Sequence, residues 1–303
     1  MRSIGSVLFI ALVTSAIVPA QTRVEKNVVY GMYSGLALLT DVHYPPQPNG
    51  YGLIVIPGSG WSSNQGYDAQ PLTALASSIR FFVPKLTDAG YTLFVINHRN
   101  GPRFRYPAPV EDVQRAVRFI RFNAKAYGIN PGRIGAVGYS SGAHLVALLG
   151  VLDGIGDAND TDPINRVTAR VQVVVASATP TDLEHLDSGS GVSNVASFMG
   201  QARPSGTGPP PDPIAVKAYR AASPITHVSA SSAPMLLFHG DADVTVPFHQ
   251  SELMEAAMKK AGVEVKLVRL PGGDHGFAGE TAKHPEWPDF LGETVRWLDQ
   301  HLK

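Results

Sequence analysis

The sequence predicts an α/β protein with a mostly parallel, eight-stranded sheet and helices on both of its faces. Continuous apolar runs such as Leu53–Ile56 and Leu93–Ile96 are typical of strands buried on both faces. Longer stretches with apolar residues at helical spacing separate these runs, and this alternation favours right-handed βαβ units. A content of 44% hydrophobic and 17% charged residues is typical of a folded globular protein.

The elements follow one another in a regular order. Val24–Met32 and Leu36–Tyr44 are predicted to form an antiparallel hairpin at the sheet edge, before the first buried strand. A helix is predicted from Leu72 to Ala89, and a second helix begins at Pro109 and ends near Gly128. The later strands are predicted at Ile134–Val137, Val171–Ala176, Met235–Phe238 and Val265–Leu270. The last helix has an apolar stripe of Leu291, Val295, Leu298 and Leu302.

Two stretches interrupt the alternation. Residues 182–232 form a long excursion between core strands, and a stretch of this length favours a lid or pocket wall. Phe198, Met199 and Tyr219 lie in it, and each has either a substrate-facing or a packing role. The acidic loop Asp153–Asp162 lacks the spacing of an EF-hand, so we expect a solvated loop, with calcium binding as the alternative.

The amino terminus has the pattern of a secretory signal peptide. Arg2 precedes the apolar run Val7–Val13, and Val18–Ala20 has the small residues of a cleavage site, so we expect residues 21–303 to form one domain. The apolar run is shorter than the ~20 residues of a membrane-spanning helix. The formal net charge of zero gives no indication of a nucleic-acid partner. The absence of cysteine excludes disulfides, thiolate catalysis and cysteine-ligated metals.

The segment Gly138-Tyr139-Ser140-Ser141-Gly142 lies between an apolar strand and a helix-length apolar stretch. A Gly-X-Ser-X-Gly segment in this context is typical of a sharp turn that exposes a nucleophilic serine. The glycines leave room for the turn, and the helix that follows directs N–H groups at developing negative charge. Ser140 is therefore the candidate nucleophile.

A serine nucleophile needs a base and an acid. Of the ten histidines, His275 is the best placed, because it follows the last predicted strand on a glycine-rich loop. His144 and His239 are interpreted as structural. Asp243 is the candidate acid, since it lies between Ser140 and His275 in the chain, while Asp241 is expected to accept hydrogen bonds from turn amides.

The transition state of acyl transfer also needs hydrogen-bond donors for its oxyanion. We expect these donors to be the N–H of Ser141 and the N–H groups of Ser59 and Gly60, in the loop after Leu53–Ile56. Trp61 and Tyr139 are predicted to contact the substrate, with packing as the alternative for Trp61.

These motifs resemble the α/β-hydrolase superfamily, over almost all of Val24–Lys303, and most closely its bacterial esterase branch with a His-Gly-Gly-Gly-Trp oxyanion loop. That branch is often associated with the removal of acetyl or feruloyl groups from plant polysaccharides. Pro57 stands where the family has histidine, and Ser59 replaces the middle glycine. Ser141 replaces a common alanine or glycine, a change of little consequence if only its backbone acts.

The sequence therefore predicts a secreted or periplasmic serine esterase that acts through Ser140, His275 and Asp243 without metal or organic cofactor. Its expected partner is a small or polysaccharide-linked ester. Two alternatives remain. One is a peptidase of the prolyl-oligopeptidase kind, disfavoured because few residues precede the oxyanion strand. The other is a non-catalytic binding protein of the same fold.

Overall fold

The centre of the protein is a sheet of eight strands, in a computed structural model that describes residues 23–33, 35–62, 72, 80–186, 188–201, 212–277 and 283–303. The strands are β1 Arg23–Tyr33, β2 Leu36–Tyr44, β3 Gly52–Ile56, β4 Thr92–Ile96, β5 Ile134–Tyr139, β6 Val173–Ser177, β7 Met235–Gly240 and β8 Val265–Leu270. Their order across the sheet is β1-β2-β4-β3-β5-β6-β7-β8. β2 pairs antiparallel with β1 and β4, and the other pairs are parallel. The predicted α/β architecture and edge hairpin are confirmed.

Helices cover the two faces of the sheet. They are α1 Phe82–Asp88, α2 Ala108–Phe122, α3 Ala124–Tyr127, α4 Ser141–Val151, α5 Val192–Met199, α6 Pro213–Ala222, α7 His249–Lys260 and α8 Phe290–Leu302. Short 3-10 helices span Pro163–Arg166 and Pro224–His227. Alternate residues of each buried strand serve different faces: Ile54 and Ile56 pack with α2 and α4, whereas Leu53 and Val55 pack with α1 and α8. In the described ranges, the helices lack the length and apolar character needed to cross a membrane.

Two helices differ from their predicted form. The helix predicted to continue to Gly128 is interrupted at Asn123, whose side-chain amide donates to Phe119 O at 2.9 Å. An asparagine that bonds the preceding turn competes with the helix ladder, so α2 ends and α3 begins there. In α8 the aromatic residues Phe290 and Trp297 are buried, while Leu291 and Val295 are only half-buried. The larger rings bury more apolar surface, which turns the stripe away from the predicted one.

The long excursion contains α5, α6 and the second 3-10 helix. Phe198, Met199 and Tyr219 are all buried, and the Tyr219 hydroxyl donates to Gln201 O at 2.9 Å, so these residues pack in the core. The predicted signal peptide and residues 73–79 of the predicted first helix lie outside the described residues.

Parallel strand register brings the functional segments to one edge. Ile56 of β3 pairs with Gly138 of β5, and Tyr139 pairs with Ser177 of β6. Since the carboxyl ends of parallel strands lie at one edge, the loops after β3, β5, β7 and β8 converge there.

Candidate active site

Ser140 occupies a strained turn between β5 and α4. Its backbone has φ 53° and ψ −121°, a left-handed conformation that is costly for a residue with a side chain. A Cβ atom at Gly138 would collide with the backbone of Gly142, and one at Gly142 would collide with the carbonyl oxygen of Ile56. The two glycines therefore allow β5, α4 and β3 to approach closely enough to form the turn.

Three side chains from distant parts of the chain form a continuous chain of hydrogen bonds. His275 Nε2 lies 2.9 Å from Ser140 Oγ, and His275 Nδ1 lies 2.7 Å from Asp243 Oδ2. A carboxylate only accepts, so Nδ1 carries the hydrogen and Nε2 is left to accept from the serine hydroxyl. This tautomer is the one a general base needs to remove a proton from serine.

Asp243 is held by more than its bond to His275. Its Oδ1 accepts from the N–H groups of Thr245 and Val246, each at 2.8 Å, and His239 Nε2 lies 3.3 Å from Oδ2. Burial alone would raise the pKa of this carboxyl, but the hydrogen bonds from His239, His275 and Val246 N–H outweigh it and hold the pKa well below its usual value. Asp243 is therefore a buried carboxylate aimed at His275.

The neighbouring candidates have other partners. Asp241 accepts from Gly272 N and Arg269 Nε, each at 2.7 Å, on the outer side of the turn. His239 lies 2.7 Å from Ser251 Oγ and 2.9 Å from Val246 O. The contacts of His239 to Val246 and Asp243 hold the turn of residues 241–246, which carries Asp243 and is called the acid turn below. Both residues have the structural positions that the sequence suggested.

The expected oxyanion donors require one correction. Ser59 N–H donates to Ser141 Oγ at 2.8 Å, so it is occupied rather than open to a substrate. The cause is the side-chain hydroxyl of Ser141, the residue after the candidate nucleophile. Serine at this position therefore acts through its side chain as well as its backbone. Gly60 N–H has no hydrogen-bond acceptor among the described residues. Ser141 N–H belongs to the first turn of α4, where no intrahelical acceptor exists.

A second side chain of α4 also holds this loop. His144 Nδ1 accepts from Trp61 Nε1 at 3.1 Å, and its Nε2 lies 2.8 Å from Ala222 O. Indole nitrogen only donates and a carbonyl only accepts, so His144 is a neutral imidazole with its hydrogen on Nε2. Burial lowers the pKa of His144 to about 4, despite the opposing bond to Ala222 O. Ser141 and His144 lie on one face of the helix and hold the loop at two points.

A small cavity opens beside Ser140. Its lining is mostly apolar and comes from four segments: Gly60, Trp61, Ser140, Pro180, Leu186, Gly191, Asn194, Val195, Thr245 and Val246. Trp61 forms part of this wall and also stacks on Phe198, with ring centroids 4.8 Å apart. Leu186, Asn194 and Val195 were not identified from the sequence, which shows only that the excursion is long enough to supply a wall.

Tyr139 is not placed as a substrate contact. Its side chain is 4% exposed, and its hydroxyl donates to the carbonyl oxygen of His275 at 2.5 Å. The predicted contact is therefore wrong, because alternation along β5 directs Tyr139 away from Ser140 and under the His275 loop. Its ring packs against Phe277 instead, with centroids 5.5 Å apart.

The acidic loop has local partners for its carboxylates. Asp157, Asp160 and Asp162 each accept from an N–H two residues later, and Asp162 also pairs with Arg115 Nη1 at 2.7 Å. Hydrogen bonds from the Asp162 N–H and the Asn165 side chain lower the pKa of Asp160. Within the described ranges, no group of three or more histidine or acidic residues is arranged to hold a metal ion.

The mostly parallel sheet, the serine turn after β5, and the acid and histidine after β7 and β8 define an α/β hydrolase. The chain belongs to the BD-FAE family, whose model matches residues 40–258. The resemblance to α/β-hydrolase esterases is thereby confirmed.

Curated relatives are consistent with this class. The chain is 29% identical to esterase LipQ of Mycobacterium tuberculosis over 232 residues, which is 74% of this chain and 50% of LipQ. It is 25% identical to an acetylxylan esterase of Xylanibacter ruminicola over 264 residues, or 86% of this chain and 46% of that protein. The chain thus spans about half the length of these curated relatives.

Solved structures match over more of their length. A truncated carbohydrate esterase from gut microbiota has a TM-score of 0.75 and 26% identity, covering 93% of this chain and 97% of that chain. An acetyl ester-xyloside bifunctional hydrolase from Caldicellulosiruptor lactoaceticus has a TM-score of 0.68 and 28% identity, covering 87% of each chain.

Proposed function

We propose that this protein is a serine hydrolase of carboxylic esters, with Ser140 as nucleophile, His275 as base and Asp243 as the acid that orients it. The continuous hydrogen-bond chain through these three residues carries the proposal. Family membership and the esterase relatives support the reaction class.

The reaction proceeds through an acyl-enzyme. His275 Nε2 takes the proton of Ser140 as Oγ attacks the ester carbonyl, and Asp243 stabilises the imidazolium that forms. The imidazolium then gives the proton to the departing alkoxide, which leaves as the alcohol. Water, deprotonated by the same histidine, releases the carboxylic acid and restores Ser140. The N–H groups of Gly60 and Ser141 stabilise the oxyanion in both tetrahedral intermediates.

We infer that the substrate carries a short acyl group. The cavity beside Ser140 is small and its lining is mostly apolar, which suits short acyl chains such as acetyl to butyryl. The names of two relatives, an acetylxylan esterase and an acetyl ester-xyloside hydrolase, support acetyl groups on plant polysaccharide as the natural substrate. Feruloyl esters test the upper size limit of the same cavity.

We further propose that residues 1–20 are a signal peptide and that the enzyme acts outside the cytoplasm. The charged, apolar and small-residue order of this segment supports the proposal. Mass spectrometry of protein exported by a bacterial host should find Gln21 as the first residue, whereas an exported chain that keeps residues 1–20 contradicts it.

A panel of p-nitrophenyl esters from acetate to palmitate, together with acetylated xylan and a feruloyl ester, tests the activity. We expect acetate and butyrate to be cleaved fastest, and Ser140→Ala to lose about 10⁴-fold or more in kcat. Ser231→Ala removes an exposed, remote hydroxyl and is the matched control. Full activity of Ser140→Ala contradicts the proposal, as does cleavage of peptide p-nitroanilides without ester hydrolysis. A wild-type protein inert on all of these substrates favours the binding-protein alternative.

A further inference from the structure

The hydroxyl of Ser141 has an unusual position for the residue that follows a nucleophile. The residue is only 1% exposed, and its Oγ accepts the N–H of Ser59 at 2.8 Å. These two residues come from the two segments that supply the oxyanion donors, the start of α4 and the loop after β3. The hydroxyl therefore lies at the junction of both segments.

The hydrogen bonds of this hydroxyl are incomplete. A serine hydroxyl has one donor and two acceptor sites, and here only an acceptor site is used. Among the described residues, this hydroxyl donates no hydrogen bond. Buried polar groups nearly always find partners, so a buried hydroxyl with an unused donor next to a nucleophile indicates a partner that arrives during the reaction.

We propose that the Ser141 hydroxyl donates a hydrogen bond to the oxyanion. It takes the place of the Ser59 N–H, which is bonded to Ser141 Oγ and so is not free to donate. The proposal rests on the esterase function above and deepens it. The oxyanion then receives bonds from Gly60 N–H, Ser141 N–H and the Ser141 hydroxyl. An O–H group that already accepts a hydrogen bond is polarised and donates more strongly, so the Ser59 amide still contributes through the hydroxyl.

Other contacts of the loop after β3 also hold it against α4, beside the proposed oxyanion donors. The Trp61 indole is tied to His144 at 3.1 Å, which holds the loop on the same face of α4 as Ser141. A Cβ at Gly60 would collide with the side chain of Asn194, and Gly60 has a positive φ of 61°. In this arrangement the Ser59 N–H is bonded to the Ser141 hydroxyl, and the hydroxyl is the group through which this amide acts at the site.

The test compares Ser141→Ala with wild type in hydrolysis of p-nitrophenyl butyrate and in inhibition by a short-chain trifluoromethyl ketone. The ketone forms a tetrahedral adduct with a serine nucleophile and so reports on oxyanion binding. We expect kcat to fall about 10- to 100-fold and KM to change less than about 3-fold, because the bond is made only in the transition state. The inhibition constant should rise by the same factor as kcat/KM falls. Ser141→Cys, which keeps a weak donor, should lie between the two proteins.

Ser232→Ala is the matched control, since Ser232 Oγ also accepts a backbone N–H, from Ser229 at 3.0 Å, in a buried position remote from Ser140. Unchanged or faster hydrolysis by Ser141→Ala overturns the proposal, because a freed Ser59 N–H then serves better than the hydroxyl. The proposal is also overturned if Ser141→Ala loses thermal stability and activity together while its inhibition constant for the ketone is unchanged. Ser141 then has only a structural role. If wild type hydrolyses no ester, the proposed function itself fails, an outcome distinct from either of these.

Discussion

The two halves of the site are held in place by different kinds of interaction. The nucleophile half, around Ser140, is fixed by backbone: a strained φ of 53° and two glycines packed against carbonyl oxygens. The acid half, around Asp243, is fixed by hydrogen bonds to one buried carboxylate. Packing of backbone does not depend on protonation, whereas a carboxyl group holds its hydrogen-bond donors most strongly when it is charged. Substitutions in the two halves should therefore affect activity and its pH dependence differently.

Among the substitutions that compare the two halves, removal of the charge in the acid half should have the largest effect. In Asp243→Asn the amide oxygen is the one remaining acceptor, so it cannot serve both the N–H groups of residues 245 and 246 and His275 Nδ1–H. The imidazolium is also left without a counter-charge. We expect kcat to fall about 10³- to 10⁴-fold with KM nearly unchanged. Steady-state kinetics on p-nitrophenyl acetate measures this.

Asp241→Asn is the control for that experiment, since Asp241 lies on the same turn and bonds Arg269 and Gly272 N–H outside the site. It should keep kcat within about 2-fold, because exposed ion pairs contribute little. A similar loss in both variants means that the turn, rather than the carboxylate facing His275, supports activity.

The nucleophile half contains one titratable residue that should respond to pH. His144 has a pKa of about 4 in the folded protein and 6.5 as its ordinary value, so between these values the unfolded chain binds the proton and the folded one does not. Stability therefore falls as pH falls from about 6.5 to 4, by up to about 3 kcal/mol from this group. Urea unfolding across this range measures the effect.

His144→Gln provides the comparison, because glutamine offers one acceptor for Trp61 and one donor for Ala222 O without titrating. Between pH 6.5 and 4 the unfolding free energy of the variant should decline less steeply than that of wild type. Other titratable groups contribute equally to both proteins, so the difference reports on His144. Parallel curves for the two proteins would contradict a buried neutral imidazole.

The smallest expected effect concerns the link between the halves. Tyr139, next to the nucleophile, donates to the carbonyl of His275. Tyr139→Phe removes one hydrogen bond, with a cost of about 1 kcal/mol, and leaves the ring packed on Phe277. We expect kcat to fall about 3- to 10-fold, with no change in the acyl-length preference on the p-nitrophenyl series. A change in that preference would restore Tyr139 as a substrate contact.

The sequence predicts those parts of the site that depend on chain order and local backbone. The Gly138–Gly142 motif, the apolar strand before it and the order Ser140, Asp243, His275 are local signals, and the structure brings the three side chains into contact. Their catalytic roles stay predictions. Strand positions follow equally directly from continuous apolar runs, since few other structures bury such runs.

What the sequence does not predict depends on side-chain contacts between distant segments. Ser59 and Ser141 are 82 positions apart, and their bond follows from the approach of β3 to α4. The one available signal was the unusual hydroxyl after the nucleophile. The direction of Tyr139 and the wall formed by Asn194 likewise depend on tertiary packing. The break at Asn123 depends on a side-chain bond that competes with helix propensity.

The excursion that forms the cavity wall is joined to the acid turn. Ser190 N–H donates to Val244 O at 3.0 Å and Gly191 N–H donates to Thr245 O at 3.1 Å, directly beside Asp243. A Cβ on Gly189 or Gly191 would press on Thr245 O. Exchange of the whole 182–232 segment to alter acyl preference is therefore expected to shift Asp243 relative to His275 as well. Leu186 and Val195 line the cavity without a hydrogen bond to that turn. Their individual replacement offers a way to change acyl-length selectivity while Ser140, His275 and Asp243 keep their relative positions.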